Sequence, residues 1–210
     1  MLKDRWSAGE LLAEQIEKLG LQNPIVEAIP RGGVAVGVPI AKRLKAPLDL
    51  LFVKKISAPQ NPELGIGAVA ESGLIYLNQQ LTARLGVTPE YIQQGGREKI
   101  AEIARARQKF KLEPQPVEGR DVIIVDDGIA TGASIYLAAQ SLVREYPNRI
   151  VIAVPVAPAD PEVLGMLEKI SHDLIILETH SPFWAVGHWY EDFHQLEDWE
   201  VEALLKEVKR

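Results

Sequence analysis

Two adjacent carboxylates, Asp126 and Asp127, follow four apolar residues at 122–125 and precede a loop of small and hydroxyl-bearing residues. The loop contains Gly128 and Gly132, and glycine lets backbone N–H groups point inward because no Cβ is in the way. Such groups, together with the start of a helix, form a site for an anion. The two acids would repel a phosphate, so we expect them to face vicinal sugar hydroxyls or a hydrated metal ion. The segment therefore predicts a site for a phosphorylated sugar.

A second candidate segment contains Arg31 and two glycines, in a turn that follows the apolar stretch 25–29. The planar guanidinium of arginine suits phosphate oxygens. Lys54 and Lys55 follow the next predicted strand and could add a cation, although strand alternation lets only one of them point into a site there. The alternatives are that Arg31 is a surface turn residue and that the lysines are ordinary surface charges.

The elements that must position these residues alternate between strand and helix. A strand at 25–29, a helix at 34–44 and a strand at 48–53 make a βαβ unit, which implies a parallel sheet. We therefore predict an α/β fold, a mostly parallel sheet flanked by helices, in a single domain over 1–210. Further strands are expected at 122–125, 150–156 and 174–177, and helices at 7–20, 89–112, 134–146, 160–170 and 196–209.

The segment 57–73 is rich in glycine and proline. It predicts a long loop with at most a short hairpin, and long loops in compact domains are usually functional or mobile. Within it, 65–70 matches the dinucleotide pattern G-x-G-x-x-A by its letters. No convincing strand precedes the match and 71–73 breaks any helix after it, so we reject a dinucleotide site.

Composition excludes several classes of function. The chain has 210 residues, a formal net charge of −6 and no cysteine. Disulfides, thiolate metal sites and cysteine nucleophiles are therefore excluded, and a broad electrostatic interaction with nucleic acid or anionic lipid is disfavoured. No apolar run approaches the roughly 20 residues of a membrane span, and the N-terminus lacks the apolar stretch of a signal peptide. We expect a cytoplasmic protein with no nucleic-acid or membrane partner.

The segment 122–134 resembles the signature of the type I phosphoribosyltransferases, in which apolar residues and an acid pair precede a loop that ends in Thr-Gly. The segments P-R-G-G, N-P-E-L-G-I-G-A-V and W-Y-E-D-F are also similar to those of a bacterial subgroup with no settled acceptor. The resemblance implies a core over about 24–178 and a small C-terminal hood (179–210) joined by residues 1–20. It implies transfer of a phosphoribosyl group from 5-phosphoribosyl-1-pyrophosphate (PRPP) to a nitrogen acceptor, a nucleobase, with release of pyrophosphate.

The resemblance also assigns roles to residues. Asp126, Asp127 and Arg31 would be catalytic, with the two acids on the ribose hydroxyls. Mg²⁺ would enter with PRPP, in contact with the acids at most through water, and the protein would be a homodimer. The residues implied to bind the 5′-phosphate are Gly128, Ala130, Thr131, Gly132, Ala133 and Ser134. Those implied to bind pyrophosphate are Arg31, Gly32, Gly33, Lys54 and Lys55, with a cis peptide near Pro30–Arg31, and the segment 57–73 corresponds to a flexible catalytic loop.

The acceptor side is less defined. The hood is rich in aromatic residues, which could stack on a base or pack against the terminal helix. Ala130 stands where enzymes of the family that use 6-oxopurines carry an acid, so use of hypoxanthine or guanine loses support. Three histidines (180, 188 and 194) do not match a known metal site. The aromatic residues that could stack on a base are Phe183, Trp184, Trp189 and Tyr190.

Two other functions remain open. One is a regulatory protein that senses PRPP or a nucleotide without significant turnover. The other is a hydrolase acting on the same sugar phosphate, but the sequence offers no nucleophile with an adjacent base.

Overall fold

The computed structural model of the protein describes residues 1–208, apart from the side chain of Glu63. Its strands are β1 Ile25–Ala28, β2 Leu48–Leu50, β3 Val53–Ala58, β4 Asn61–Ala70, β5 Ile75–Leu77, β6 Asp121–Val125, β7 Arg149–Pro158 and β8 Asp173–His180. Its α-helices are α1 Arg5–Glu17, α2 Gly32–Leu44, α3 Gln79–Arg84, α4 Pro89–Phe110, α5 Ala133–Val143, α6 Pro161–Glu168 and α7 Asp198–Val208. A short 3₁₀ helix covers Val186–Trp189.

Five strands form a parallel sheet in the order β2-β1-β6-β7-β8. Successive residues of a strand point to opposite faces, and both faces of this sheet are covered. Val26, Ile123 and Val151 pack in one buried cluster with α1, α2 and α7. Ile25 and Ile124 pack in the other with α5 and α6. The prediction of a mostly parallel sheet flanked by helices is confirmed.

The segment 57–73 is largely β-structure, which corrects the prediction of a long loop but confirms the short hairpin, formed by β4 and β5. Strands β3, β4 and β5 form a separate antiparallel sheet, in which Lys55 pairs with Ala68 and Gly67 pairs with Leu77. A Cβ on Gly67 would lie 2.3 Å from the carbonyl oxygen of Tyr76. The glycine that suggested a loop is therefore needed for the close approach of β5, and cross-strand pairing supplies the order that composition did not indicate.

The predicted strand at 48–53 is also wrong in one respect. It ends at Leu50, and a new strand of the antiparallel sheet begins at Val53. Lys54 and Lys55 consequently lie within β3 and do not end a strand of the parallel sheet.

Helix ends differ from the predictions by a few residues. The first helix begins at Arg5 because Asp4 is its N-cap, with Asp4 Oδ1 accepting a hydrogen bond of 2.7 Å from the backbone N–H of Ser7. The helix therefore starts two residues before the predicted start at residue 7. The short helix α3 was not predicted, and the end predicted for the terminal helix at residue 209 lies outside the described residues. Within residues 1–208, no helix is both long and apolar enough to cross a membrane.

The N-terminal residues lie beside the hood. The backbone N–H of Leu2 donates to Trp189 O at 2.9 Å, the N–H of Glu191 donates to Leu2 O at 2.8 Å, and the N–H of Asp192 donates to Lys3 O at 2.9 Å. Leu2 and Tyr190 also share a buried cluster with Ala8 of α1. The start of the chain and residues 189–192 are thus fixed to each other by main-chain hydrogen bonds.

A buried network of charges joins α4 and the antiparallel sheet to the edge of the parallel sheet. Arg107 donates to Asp49 Oδ1 at 3.0 Å and to Glu71 Oε1 at 2.6 Å, and its guanidinium also donates to Leu50 O. Asp49 is 3% exposed. Because a buried carboxylate that loses its cation stays desolvated and uncompensated, Arg107 should be important for stability.

We expect Arg107→Met to lower the free energy of unfolding by about 3 kcal/mol, the usual cost of removing one partner of a buried pair. Urea denaturation followed by circular dichroism measures this change. The matched control is Arg43→Met, which removes exposed ion pairs with Glu14 and Glu17 and should change stability little. Equal losses in the two variants would contradict the role given to Arg107.

The carboxyl group of Glu27 lies in the buried strand β1, and burial, with a contribution from the charge of Asp49, raises its pKa well above the usual range. The stability that protonated Glu27 provides is complete below its unfolded pKa of about 4.3 and is lost as the pH rises toward the folded pKa. We expect Glu27→Gln, which does not titrate, to gain stability relative to the natural protein between pH 4 and pH 8. Urea denaturation at several pH values tests this, and a pH-independent difference would refute it.

Candidate active site

The acid pair directly follows β6, and the loop after the pair leads into α5. Gly132 is the N-cap of α5 and has a φ of 73°, a left-handed conformation that favours glycine. Thr131 and Ser134 are exposed beside it. The first N–H groups of a helix have no partner within the helix, so the start of α5 offers free donors to an anion from solvent.

The loop after β1 lies directly against this segment. Strands β1 and β6 pair in parallel with Ala28 opposite Val125, so their carboxyl ends are at the same edge. A Cβ on Gly32 would lie 1.9 Å from Asp127 Oδ2, and a Cβ on Gly33 would lie 2.6 Å from Val125 O. The two glycines therefore allow the loop to contact the acid pair. The peptide bond between Pro30 and Arg31 is cis, where the family resemblance implies one.

The electrostatics of the acids are unequal. Burial, followed by the charge of Asp127, raises the pKa of Asp126 well above its usual range, and the charge of Arg5 opposes this. Asp126 Oδ1 accepts a hydrogen bond of 2.8 Å from the backbone N–H of Asp127. Asp127 instead has a cationic partner, since Arg5 Nε lies 2.8 Å from its Oδ2. The pair thus combines one desolvated acid with one acid held by an arginine.

Arg31 contacts the N-terminal end of α7. Its Nε lies 3.2 Å from Asp198 Oδ1, and its guanidinium also donates to Leu196 O. A hydrogen bond from Lys109, opposed by partial burial and helped by the charges of Lys109, Arg31 and Lys54, lowers the pKa of Asp198. Three basic residues from different elements are therefore close to one carboxylate at this edge.

The two predicted lysines are in different environments. Lys54 is close enough to Asp198 for its charge to lower the pKa of that carboxyl group. The aliphatic part of Lys55 lies along β4, where its Cδ would be 3.0 Å from a Cβ on Gly65. Of the two lysines, Lys54 is therefore the one linked to the carboxylate that binds Arg31.

Two residues that contact the acid pair were not predicted in these roles. Arg5 is 8% exposed and reaches Asp127 from the start of α1, 122 residues away in the chain. Tyr190 donates its hydroxyl proton to the backbone carbonyl of Asp127 at 2.6 Å. No local sequence pattern marks Arg5, and Tyr190 was noticed only as an aromatic residue of the hood.

The predicted aromatic residues of the hood do not form one surface. Tyr190 is 5% exposed and packs in a buried cluster, whereas Trp184 is 72% exposed. The indole of Trp189 stacks on the ring of His180, with ring centroids 3.5 Å apart, and Phe183 is 6.0 Å away on a tilted plane. Trp184 also contacts the ring of His188, with centroids 5.1 Å apart. All four thus make ring or core contacts within the hood, and none of these contacts is to the terminal helix that the packing alternative named. Among the described residues, no group of three or more His, Asp or Glu side chains is arranged to hold a metal ion.

Comparison with known proteins decides the family. The family model for the phosphoribosyl transferase domain matches residues 6–188. The chain belongs to the phosphoribosyl transferase domain family. The match includes β1, β6 and both glycine-containing loops, and it begins one residue after Arg5. The resemblance stated from the sequence is therefore confirmed.

Relatives of this phosphoribosyl transferase domain are found in bacteria. A Mycobacterium tuberculosis protein, provisionally named a phosphoribosyl transferase, is 35% identical over 212 residues, which cover 100% of this chain and 47% of that protein. The chain thus spans about half the length of the curated relatives it matches. A crystal structure of a Thermus thermophilus protein is 38% identical, with a TM-score of 0.81 over 99% of this chain and 98% of that one.

A more distant structure shares the fold alone. A Neisseria gonorrhoeae protein, crystallised with bound ppGpp, is 15% identical and has a TM-score of 0.53, covering 98% of this chain and 97% of that chain. The arrangement of strands and helices is therefore maintained at low sequence identity.

We expect Gly32→Ala to destabilise this phosphoribosyl transferase domain by about 2 kcal/mol, within the range of about 1–3 kcal/mol that overpacking usually costs. The added Cβ would meet Asp127, which Arg5 holds in place. Chemical denaturation measures the change. The control is Gly165→Ala in α6, where a Cβ meets nothing within 4 Å and helix propensity favours alanine. A Gly32→Ala variant as stable as the control would contradict the close contact.

Proposed function

We propose that the protein transfers the 5-phosphoribosyl group of PRPP to a nitrogen acceptor, with release of pyrophosphate. The observation that supports this most directly is the contact between the loop of Gly32 and the carboxylate of Asp127, beside the free start of α5. Two anion-binding elements and an acid pair at one sheet edge suit a sugar that carries phosphate groups at both ends.

The 5′-phosphate is assigned to the loop before α5. Residues 130–134 supply backbone N–H groups, and the hydroxyls of Thr131 and Ser134 supply further donors. Both side chains are exposed, which leaves them accessible to a ligand from solvent. Removal of the hydroxyl of Thr131 should weaken phosphate binding without a change in the fold.

The ribose is assigned to Asp126 and Asp127. Each carboxylate has one oxygen bound by the protein, Asp126 Oδ1 by a backbone N–H and Asp127 Oδ2 by Arg5. No side chain or N–H of the described residues donates a hydrogen bond to the second oxygen of either one. Two remaining oxygens match two vicinal hydroxyls, each of which can donate one proton.

The pyrophosphate is assigned to the loop of Arg31, Gly32 and Gly33, with Lys54 as a nearby cation. Arg31 is bound to Asp198 in this structure, and its side chain is 40% exposed. An incoming pyrophosphate carries more negative charge than Asp198 and would compete with it for the guanidinium. Lys55 lies along β4 and is left out of the pyrophosphate site.

Mg²⁺ fits the donor set at this edge of the sheet. The ion prefers oxygen ligands, keeps several waters and is usually bound through one or two carboxylates together with substrate phosphates. Asp126 and Asp127 provide two carboxylates beside the proposed pyrophosphate loop. When bound, Mg²⁺ would neutralise charge on the leaving pyrophosphate, while Arg31 and the backbone N–H groups orient it.

In the reaction that we propose, the bond between C1′ and the pyrophosphate oxygen breaks, and a nitrogen of the acceptor forms a bond to C1′ with inversion. The electron pair of the broken bond leaves with pyrophosphate, and the acceptor nitrogen supplies the new pair. The contribution of this chain is positioning and charge neutralisation. We assign to the antiparallel sheet β3–β5 the role of covering the site, so that water is excluded from C1′.

The acceptor is assigned to the hood side of the site, and a homodimer is our expectation for the assembly.

The alternative function is a sensor that binds PRPP or a nucleotide without turnover. In either function a ligand must displace Asp198 from Arg31, because the guanidinium is already paired within the site. The two functions share the binding site and differ only in whether pyrophosphate is released.

The test is calorimetric titration with PRPP, with and without Mg²⁺, on the natural protein and on Asp126→Asn/Asp127→Asn. We expect metal-dependent binding that weakens at least about 10-fold in the double variant, because hydrogen bonds to charged groups are worth about 1.5–3 kcal/mol each. The matched control is Asp173→Asn, at the start of β8 and the opposite end of the sheet, paired with Arg149. Unchanged binding in the double variant would overturn the assignment of the acids.

A screen of nucleobases for pyrophosphate release then separates the two functions. Release with one base would establish transfer and identify the acceptor. Tight binding of PRPP with no release from any base would favour the sensor.

A further inference from the structure

Arg5 makes three contacts, one of them to the acid pair. Its Nε donates to Asp127 Oδ2 at 2.8 Å, and its Nη1 donates to the backbone carbonyl of His194 at 3.0 Å. Its guanidinium carbon lies 3.7 Å from the ring centroid of Phe193. The residue is 8% exposed, and these two hydrogen bonds and the ring contact hold its guanidinium in place.

The position of Arg5 is itself set by the pairing of the two ends of the described chain. Asp4 caps α1, so the helix begins at Arg5, and the preceding residues hydrogen-bond to residues 189–192. In the same segment Tyr190 holds the backbone of Asp127 through its carbonyl. Both the side chain and the main chain of Asp127 are therefore bound by groups outside the loop to which it belongs.

This arrangement determines which carboxylate oxygen of Asp127 faces a ligand. Oδ2 is taken by Arg5, and a charged, buried donor at 2.8 Å keeps it there. A half-turn of the carboxylate exchanges two equivalent oxygens and leaves the bond to Arg5 as it was. A tilt of the carboxylate would break that bond. The oxygen that faces Gly32 is Oδ2, the one that Arg5 holds, so these two contacts together fix the direction of the second oxygen.

We propose that Arg5 is a positioning residue for the ribose of PRPP, acting through Asp127. Arg5 itself would not touch the substrate. It would keep the carboxylate of Asp127 correctly oriented, so that its second oxygen accepts a hydrogen bond from a ribose hydroxyl. This inference rests on the proposed function, and it makes the N-terminal segment a part of the site.

The experiment compares two ligands that differ in the ribose. Calorimetry with Mg²⁺ measures the affinity for PRPP and for inorganic pyrophosphate in the natural protein and in Arg5→Met. We expect Arg5→Met to weaken PRPP binding at least about 10-fold, the value of one charge-assisted hydrogen bond, and to leave pyrophosphate binding within about 3-fold. A role limited to structure would weaken both ligands together, and this result would overturn the proposal.

A double-mutant cycle tests whether Arg5 acts through Asp127. In the Asp127→Asn background, Arg5→Met should cause no further loss of PRPP affinity. An additional 10-fold loss there would show that Arg5 acts by another route and would refute the proposal.

Conservative variants keep the test valid if Arg5→Met does not fold. Arg5→Lys retains the charge and can reach one of the two acceptors, so its PRPP affinity should lie between those of the natural protein and Asp127→Asn. Arg43→Met, which removes exposed ion pairs to Glu14 and Glu17 of α1, is the matched control and should bind PRPP like the natural protein. If Arg5→Lys folds and binds PRPP like the natural protein while Asp127→Asn does not, the charge alone suffices and the orienting role is wrong.

Failure of the proposed function would look different. If the natural protein binds no PRPP with Mg²⁺, the proposed function is refuted and this inference with it. If the natural protein binds PRPP and Arg5→Met binds it equally well, only the inference about Arg5 is refuted.

Discussion

The carboxylate of Asp127 is the point on which the candidate site depends. A charged group with 17% of its side chain exposed needs a partner, and Arg5 provides one from the other end of the chain. The same carboxylate fills the space above Gly32, which no larger residue could share. The N-terminal helix, the loop after β1 and the loop after β6 are therefore fixed relative to one another by a single side chain.

Charged side chains occupy the rest of this edge of the sheet. Asp126 is desolvated beside a charged neighbour, and Arg31 is bound to Asp198 while Lys54 and Lys109 lie close by. Asp127 and Arg31 thus each have an internal counter-charge in this structure, whereas Asp126 has a like-charged neighbour. Under the proposed function, pyrophosphate would displace Asp198 from Arg31, while Arg5 would stay bound to Asp127.

The antiparallel sheet is attached to the core through the charged network of Arg107 and not through apolar burial alone. Arg107 comes from α4, Asp49 from β2 and Glu71 from the turn after β4. Because all three are needed to satisfy the buried charges, the sheet that would cover the ligand keeps a defined position at the edge of the core. The same contacts hold α4 against the two sheets, although its exposed face is strongly charged.

The sequence alone determined the parallel α/β architecture and the family, because buried parallel strands are continuous apolar runs and because the acid pair, Thr131 and the glycines lie in one short segment. It could not show that β4 is a regular strand, since its glycines indicate a loop until the close approach of β5 explains Gly67. It also could not show the roles of Arg5, Tyr190 and Asp198. Their partners are 122, 63 and 167 residues away, and no local pattern encodes a contact made only when the two ends of the described chain meet above the sheet. The candidate site residues lie in short segments and can be recognised from the sequence there. The residues that orient them come from distant parts of the chain and reach the site only through tertiary packing.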